Sequence, residues 1–205
     1  MIDGLKIVLI VFFITFLISL PLGFLVALLR LSAIKILSGF VKIYILIMRG
    51  TPLLLQMIFV FFGLPYVGIV LDRLTACLLT FCLNYTAYFA EIFRGGIKSI
   101  DRGQFEASRV LDIDKFTMYK KIILPQVMKN VLLPISNETI SLIKDTSLVY
   151  VLGLNDILRI AQVATTRTAS LMPLLYAGLI YLFLTAILTR ILDMIEKHYS
   201  YYVRE

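Results

Sequence analysis

Four consecutive polar residues, Lys144, Asp145, Thr146 and Ser147, lie inside a stretch from Asn130 to Asn155 that is otherwise largely apolar. Ionisable groups at membrane depth are costly and mark binding or transport sites. Lys144 is suited to a carboxylate and Asp145 to an ammonium, the two charges an amino acid carries. The competing reading is an ion pair that cancels itself, with Thr146 and Ser147 bonding the backbone. Glu138, about two helical turns before Asp145, could face the same cavity or a subunit interface. Asn84, Tyr88 and Glu91 recur at i, i+4 and i+7 on one helical face. Asn84 and Tyr88 fit either a substrate path or helix-to-helix hydrogen bonding, and Glu91 fits an ion pair with Arg94. Gln56, alone in an apolar run, fits glue between helices or a pathway contact.

Other chemistry is excluded by what the chain lacks. There are no paired catalytic carboxylates, no metal cluster and no Ser/His arrangement, since the one histidine is His198. Cys77 and Cys82 read as buried thiols rather than a disulfide framework. No Gly-rich phosphate loop with Lys and Ser/Thr occurs, so no cofactor or nucleotide is expected on this chain.

The elements that must position these residues are membrane helices. Of 205 residues, 60% are hydrophobic and 16% charged, and the bilayer is the solvent such a composition suits. A crossing needs about 20 apolar residues. Spans are expected at about 7–29, 43–66, 74–93, 130–153 and 169–192, in one all-α domain over 1–205. The first run is longer than the apolar core of a cleaved signal and should stay as a helix. Pro21 and Gly23 predict a kink or close packing there. In the second, Thr51 is the expected cap and Pro52 the expected first-turn residue of a new helix, which ends at Gly63-Leu64-Pro65-Tyr66. Gly95-Gly96 is expected to break the third.

Lys and Arg sort by side. With the N-terminus outside, Arg30, Lys35, Lys42, Arg49, every basic residue from Arg94 to Lys129, and Arg190, Lys197 and Arg204 fall inside. Lys6, Arg73, Arg159 and Arg167 fall outside, which predicts a multi-pass protein of the cell membrane with a cytoplasmic C-terminus. Positive-inside asymmetry and anionic lipid account for the net charge of +7 without nucleic acid.

From Ser99 to Lys129 charge alternates with apolar residues, giving two short amphipathic helices with a joint between them. Asp114 is the expected N-cap of the second and Pro125 its stop. Periodicity alone fits a helix lying on anionic lipid as well as a protein-docking element.

Glu106-Ala107-Ser108, position 112 and Leu124-Pro125 resemble the EAA loop of the permease subunits of bacterial ABC importers. Arg49-Gly-Thr-Pro-Leu-Leu, Ala87 to Ile100, Gly103-Gln104, Ile123-Leu-Pro-Gln and Lys144-Asp-Thr-Ser-Leu resemble the polar amino acid uptake branch of that family, in the same order. Ser108 replaces an Ala of the pattern and Asp112 its Gly. Asp is one of the few other residues that visit the left-handed region the Gly would allow. The resemblance implies a type I permease fold of five helices with a cytoplasmic two-helix coupling loop at about 99–126. It implies inward transport of a polar L-amino acid, with ATP used by a partner ATPase dimer docked on Gln104, Glu106, Ala107, Ser108, Arg109 and Asp112. A second permease copy or paralogue and an external amino-acid-binding protein complete the implied assembly. An ion-coupled transporter or channel subunit that needs no ATPase is the alternative.

Overall fold

The computed structural model describes residues 1–199, so Arg204 lies outside the described residues. Helix α1, Ile2–Arg30, has 29 residues and at 1.5 Å per residue exceeds the roughly 30 Å of hydrocarbon. Its buried face includes Thr15, Ser19, Gly23 and Ala27, a small residue every fourth position. In a bilayer such a seam lets backbones approach and gain dispersion contacts that lipid cannot supply. The partner is α4, Arg73–Lys98. A Cβ added at Gly23 would stand 2.5 Å from the Cβ of Phe89, and the Ser19 hydroxyl donates to the Cys82 carbonyl at 3.1 Å. Gly23 is therefore a packing residue, one of the two roles expected of it.

Between these helices the chain forms α2, Lys35–Gly50, and α3, Leu53–Ile58, which meet at a bend of 104°. The run expected as one span over 43–66 is thus a bent pair. Pro52 explains the break: it has no N–H for the Met48 carbonyl, and its ring disfavours helix at Thr51. Thr51 does not cap α3. Its hydroxyl donates back to the Ile47 carbonyl at 2.8 Å, closing α2, while Pro52 holds the N-cap position without a side-chain bond. After α3 the chain widens into a π turn at Phe59–Gly63 and tightens into a 3₁₀ turn at Leu64–Val67. It ends at Gly68 with φ 82°, slightly beyond the expected stop.

Helix α4 is the centre of the fold, burying Asn84, Tyr85, Thr86, Ala87, Phe89 and Ala90 in its middle turns. Asp72 caps it by accepting from the Leu74 and Thr75 amides at 3.0 and 3.1 Å. Those bonds, with one from the Thr75 hydroxyl as the largest cause, hold the exposed Asp72 carboxyl below its ordinary value. Gly95 and Gly96 do not break α4, which runs on to Lys98. A Cβ at Gly96 would meet Val131 Cγ1 at 2.2 Å, so this glycine admits the neighbouring helix instead.

Helix α5, Arg102–Val110, is joined to a second helical rod that starts at α6, Lys115–Thr117. The rod passes through a π turn at Met118–Ile123 into α7, Leu124–Asp145, and then a 3₁₀ turn at Thr146–Leu152. Pro125 is not a stop. It sits in the first turn of α7, directly after the π turn, where the hydrogen-bond ladder is already interrupted and its missing N–H costs little. Gly153, φ 80°, ends the rod. Asp156 then caps α8, Ile157–Thr168, at a bend of 55° from the rod, and α9 runs over Met172–Tyr199.

Helices α1, α4 and α9 are each long and apolar enough to cross a membrane, and counting each bent pair as one crossing gives five. The fold is all-α, as expected. Both bends interrupt the helical hydrogen-bond ladder, and backbone polar groups freed within a bilayer are tolerated only where protein or a cavity satisfies them.

Candidate functional site

The break between α2 and α3 leaves carbonyls without helical partners, and two amides fill the gap. Asn84 Nδ2 donates to the Met48 carbonyl at 2.8 Å and to Gln56 Oε1 at 3.0 Å. Gln56 Nε2 donates to the Met48 carbonyl at 2.9 Å, to the Thr51 carbonyl at 3.1 Å and to the Thr51 hydroxyl at 2.7 Å. Both side chains thus serve the break, and Asn84 also borders the space beside it.

That space is a cavity of about 630 Å³ between the α2–α3 break, α4 and α7, within the usual range for a small-molecule site. Arg49, Tyr85, Tyr88, Glu138, Ser141 and Asp145 line it together with Asn84. The Arg49 guanidinium lies 5.1 Å from the centre of the Tyr88 ring, a cation–π contact that orients it. The Tyr85 hydroxyl donates to Asp145 Oδ2 at 2.8 Å. Tyr85 is itself locked by burial and by the Phe81 ring, stacked 6.2 Å away.

Of the residues singled out in the sequence, Asn84, Tyr88, Glu138 and Asp145 meet in this cavity, with Gln56 behind Asn84. Lys144 does not line it: the side chain is exposed and makes no salt bridge with Asp145. Neighbours on a helix point about 100° apart, and the rotation of α7 that turns Asp145 into the cavity leaves Lys144 outside its lining. Thr146 is buried, its hydroxyl donating to the Ile143 carbonyl at 2.7 Å, and Ser147 lies outside the lining. Glu91 pairs with Arg94, as its spacing suggested. Arg49 and Tyr85 escaped the sequence reading. Arg49 looked like a charge flanking a span, and only the bend at Pro52 turns the end of α2 toward α7.

Toward the C-terminal ends of α1 and α4 a second, basic basin of about 440 Å³ shares Arg49 and Gly50 with the cavity and adds Arg30, Lys42 and Arg94, with Glu91.

The charged hairpin is built by its caps. Asp101 accepts from the Gly103 amide at 2.6 Å and Asp114 from the Thr117 amide at 3.0 Å. Helix α5 ends with the Asp112 amide on the Arg109 carbonyl at 3.1 Å and the Ile113 amide on the Ser108 carbonyl at 2.9 Å. This paired closure needs a left-handed residue, and Asp112, φ 50°, supplies it. Gln104, Glu106, Ala107, Arg109 and Asp112 are exposed, whereas Ser108 is buried and donates to the Gln104 carbonyl at 2.7 Å. Val110 is 86% exposed and Leu111 70%, so the tip presents two apolar side chains that the spacing argument had not assigned.

An all-helical membrane domain with a polar cavity at helix breaks and an exposed, capped helical hairpin defines a transport permease. The chain belongs to the family of binding-protein-dependent transport system inner membrane components, whose pattern matches residues 7–201. It is 40% identical over 197 residues to the arginine transport system permease protein ArtQ of Bacillus subtilis, covering 95% of this chain and 90% of that one. It is 38% identical over 181 residues to a putative glutamine transport system permease protein GlnP of Rickettsia conorii, covering 87% and 83%. A crystal structure of an amino acid ABC transporter with histidines superposes with a TM-score of 0.89 at 33% identity, covering 96% and 92%. The inward-facing MetNI methionine transporter, TM-score 0.73 at 18% identity, shares the fold. The chain is accordingly an ABC transporter permease subunit, a multi-pass protein of the cell membrane and not an enzyme.

Proposed function

We propose that this permease moves a polar L-amino acid inward through the cavity between α2, α4 and α7, by alternating access driven from a cytoplasmic ATPase dimer. The observation that carries this reading is the meeting of Arg49 with Asp145 in one 630 Å³ space at the helix breaks. A guanidinium receives a carboxylate in two parallel bonds, and a carboxylate receives an ammonium. Arg49 takes the carboxylate role that the sequence alone suggested for Lys144, and Tyr85 aims Asp145 at the ammonium. The basic basin is the inner exit, with Arg49 standing in both spaces.

The hairpin of α5 and α6 docks the ATPase through Glu106, Arg109 and the apolar tip at Val110 and Leu111. ATP is used there, outside this chain, and closure of the ATPase dimer moves the helices as rigid bodies. Five crossings enclose a path poorly, so a second permease, identical or paralogous, completes it, and an external binding protein delivers the substrate. The Lys and Arg distribution supports an outer N-terminus and a cytoplasmic C-terminus.

The test is reconstitution of the permease with its ATPase and binding protein in liposomes. Amino-acid uptake should need ATP inside and survive dissipation of ion gradients. Uptake that continues without ATP and collapses with the gradient would overturn this reading in favour of ion coupling.

A further inference from the structure

We infer that a cleft between α1, α4 and the start of the second rod seats one acyl chain of an anionic phospholipid, with the headgroup phosphate on Lys120. The cleft encloses about 510 Å³ and shares no residue with the substrate cavity. Phe24 and Leu28 of α1, Ile97 of α4, and Phe116, Tyr119 and the first apolar residues of α7 line it. Lys120 is the one charged side chain among them, and no carboxylate lies in the lining.

The depth of the cleft suits a lipid. Counted from Ile7, where the uncharged run of α1 begins, Phe24 lies roughly 26 Å along the helix and Leu28 roughly 32 Å. The hydrocarbon layer is about 30 Å thick, so the cleft spans the boundary between chains and headgroups, in the inner leaflet by the Lys and Arg distribution. Lys120 stands at the polar end of that boundary. Its ammonium lies 5.3 Å from the centre of the Phe116 ring, and Phe116 is 72% exposed, so ring and charge together form the open rim. Lys120 has no salt-bridge partner among the described residues, and its charge is left for a phosphate.

The chemistry of the lining favours a lipid over a protein segment. Apart from Lys120, the Tyr119 hydroxyl is the only polar side-chain group the cleft offers. A peptide laid there at membrane depth would bring amides and carbonyls that need partners, whereas an acyl chain brings none. Helix α5 does not close the cleft either. Phe105 packs edge-on against the Tyr119 ring with centroids 6.4 Å apart, yet α5 contributes nothing to the lining. The two readings open to the charged island are thereby divided between its helices: α5 carries the surface proposed for the ATPase, and the start of the second rod turns a lipid-binding face toward α1.

The chain contains no tryptophan, so Leu28→Trp places a single fluorescent reporter at the cleft. The full-length permease carrying it is reconstituted in phosphatidylcholine vesicles doped with either phosphatidylglycerol or phosphatidylcholine whose chains bear bromine, a contact quencher. The anionic lipid should quench at about fivefold lower mole fraction than the zwitterionic one, the scale for one basic side chain facing anionic lipid. Leu17→Trp, on the exposed middle of α1, should meet both lipids equally. Lys120→Gln should bring the two lipids within about twofold of each other at Leu28→Trp, and Lys120→Arg, which keeps the charge, should retain the preference. Equal quenching at Leu28→Trp, the same preference at Leu17→Trp, or a preference that Lys120→Gln leaves intact overturns the inference. Quenching by neither lipid at Leu28→Trp means that protein covers the cleft, and overturns it too. Should Leu28→Trp fail to fold, native mass spectrometry decides: the wild type and Lys120→Arg should retain phosphatidylglycerol over phosphatidylcholine, and Lys120→Gln should not.

Discussion

Arg49 depends on where α2 stops. Because Met48 cannot bond residue 52, the helix turns and Arg49 is left over Tyr88 at the edge of the cavity. Arg49→Lys keeps the charge but loses the planar fork, so substrate affinity of the permease should fall by about tenfold, measured by titration of the reconstituted complex. Arg49→Ala should fall further. Asp112 makes the opposite kind of prediction. It occupies a left-handed conformation, φ 50°, that costs a non-glycine residue roughly 1–2 kcal/mol. Asp112→Gly should therefore strengthen the end of α5, read as slower hydrogen exchange at the Ile113 amide that closes the turn. Unchanged exchange would mean that the strain is absorbed elsewhere.

Among the elements, α1 and α4 are held by a seam rather than by large side chains. Gly23→Ala would drive a methyl into Phe89 and the backbone of Ala90, so the two helices must separate, at a cost of about 1–3 kcal/mol as for overpacking in general. Thermal inactivation of the purified permease in detergent should shift downward accordingly. The second rod begins at an exposed cap, Asp114, whose carboxyl lies below its ordinary value of 3.8 because the Thr117 hydroxyl and amide bond it. A depressed carboxyl contributes its stability in full above the unfolded value, and loses it as pH falls through the lower folded one. Protection of the Thr117 amide, corrected for intrinsic exchange, should therefore persist above pH 3.8 and decline below it. In an Asp114→Ala variant that decline should vanish.

At the scale of the whole molecule the chain is a cavity and a lever joined by the rod of α6 and α7. Leu111, 70% exposed at the tip of α5, is a surface the ATPase should cover. Leu111→Glu or Glu106→Lys should lower affinity for the ATPase by at least about tenfold, as hot-spot changes do, while amino-acid binding to the isolated permease stays near wild type. Loss of both would place the fault in folding. The membrane class, the polar island and the carboxylates Glu138 and Asp145 were all legible in the chain, because hydropathy and charge are properties of residue type. The cap at Asp114 was legible too, since backbone preferences act within a few residues, and the left-handed joint at Asp112 followed from the resemblance, which puts a glycine there. The seam of Thr15, Ser19, Gly23 and Ala27 was present in the spacing but does not reveal its partner. Single-chain patterns also could not show that Pro125 lies within a continuous rod, that Gly96 admits Val131, or that Arg49 rather than Lys144 lines one cavity with Asp145. Each of those depends on a second helix arriving at a given height and angle. The sequence by itself determined which groups are costly in a bilayer and where helices can begin and bend. Only the tertiary structure decided which of those groups share a cavity, because a 104° turn at one proline sets where the end of a helix points.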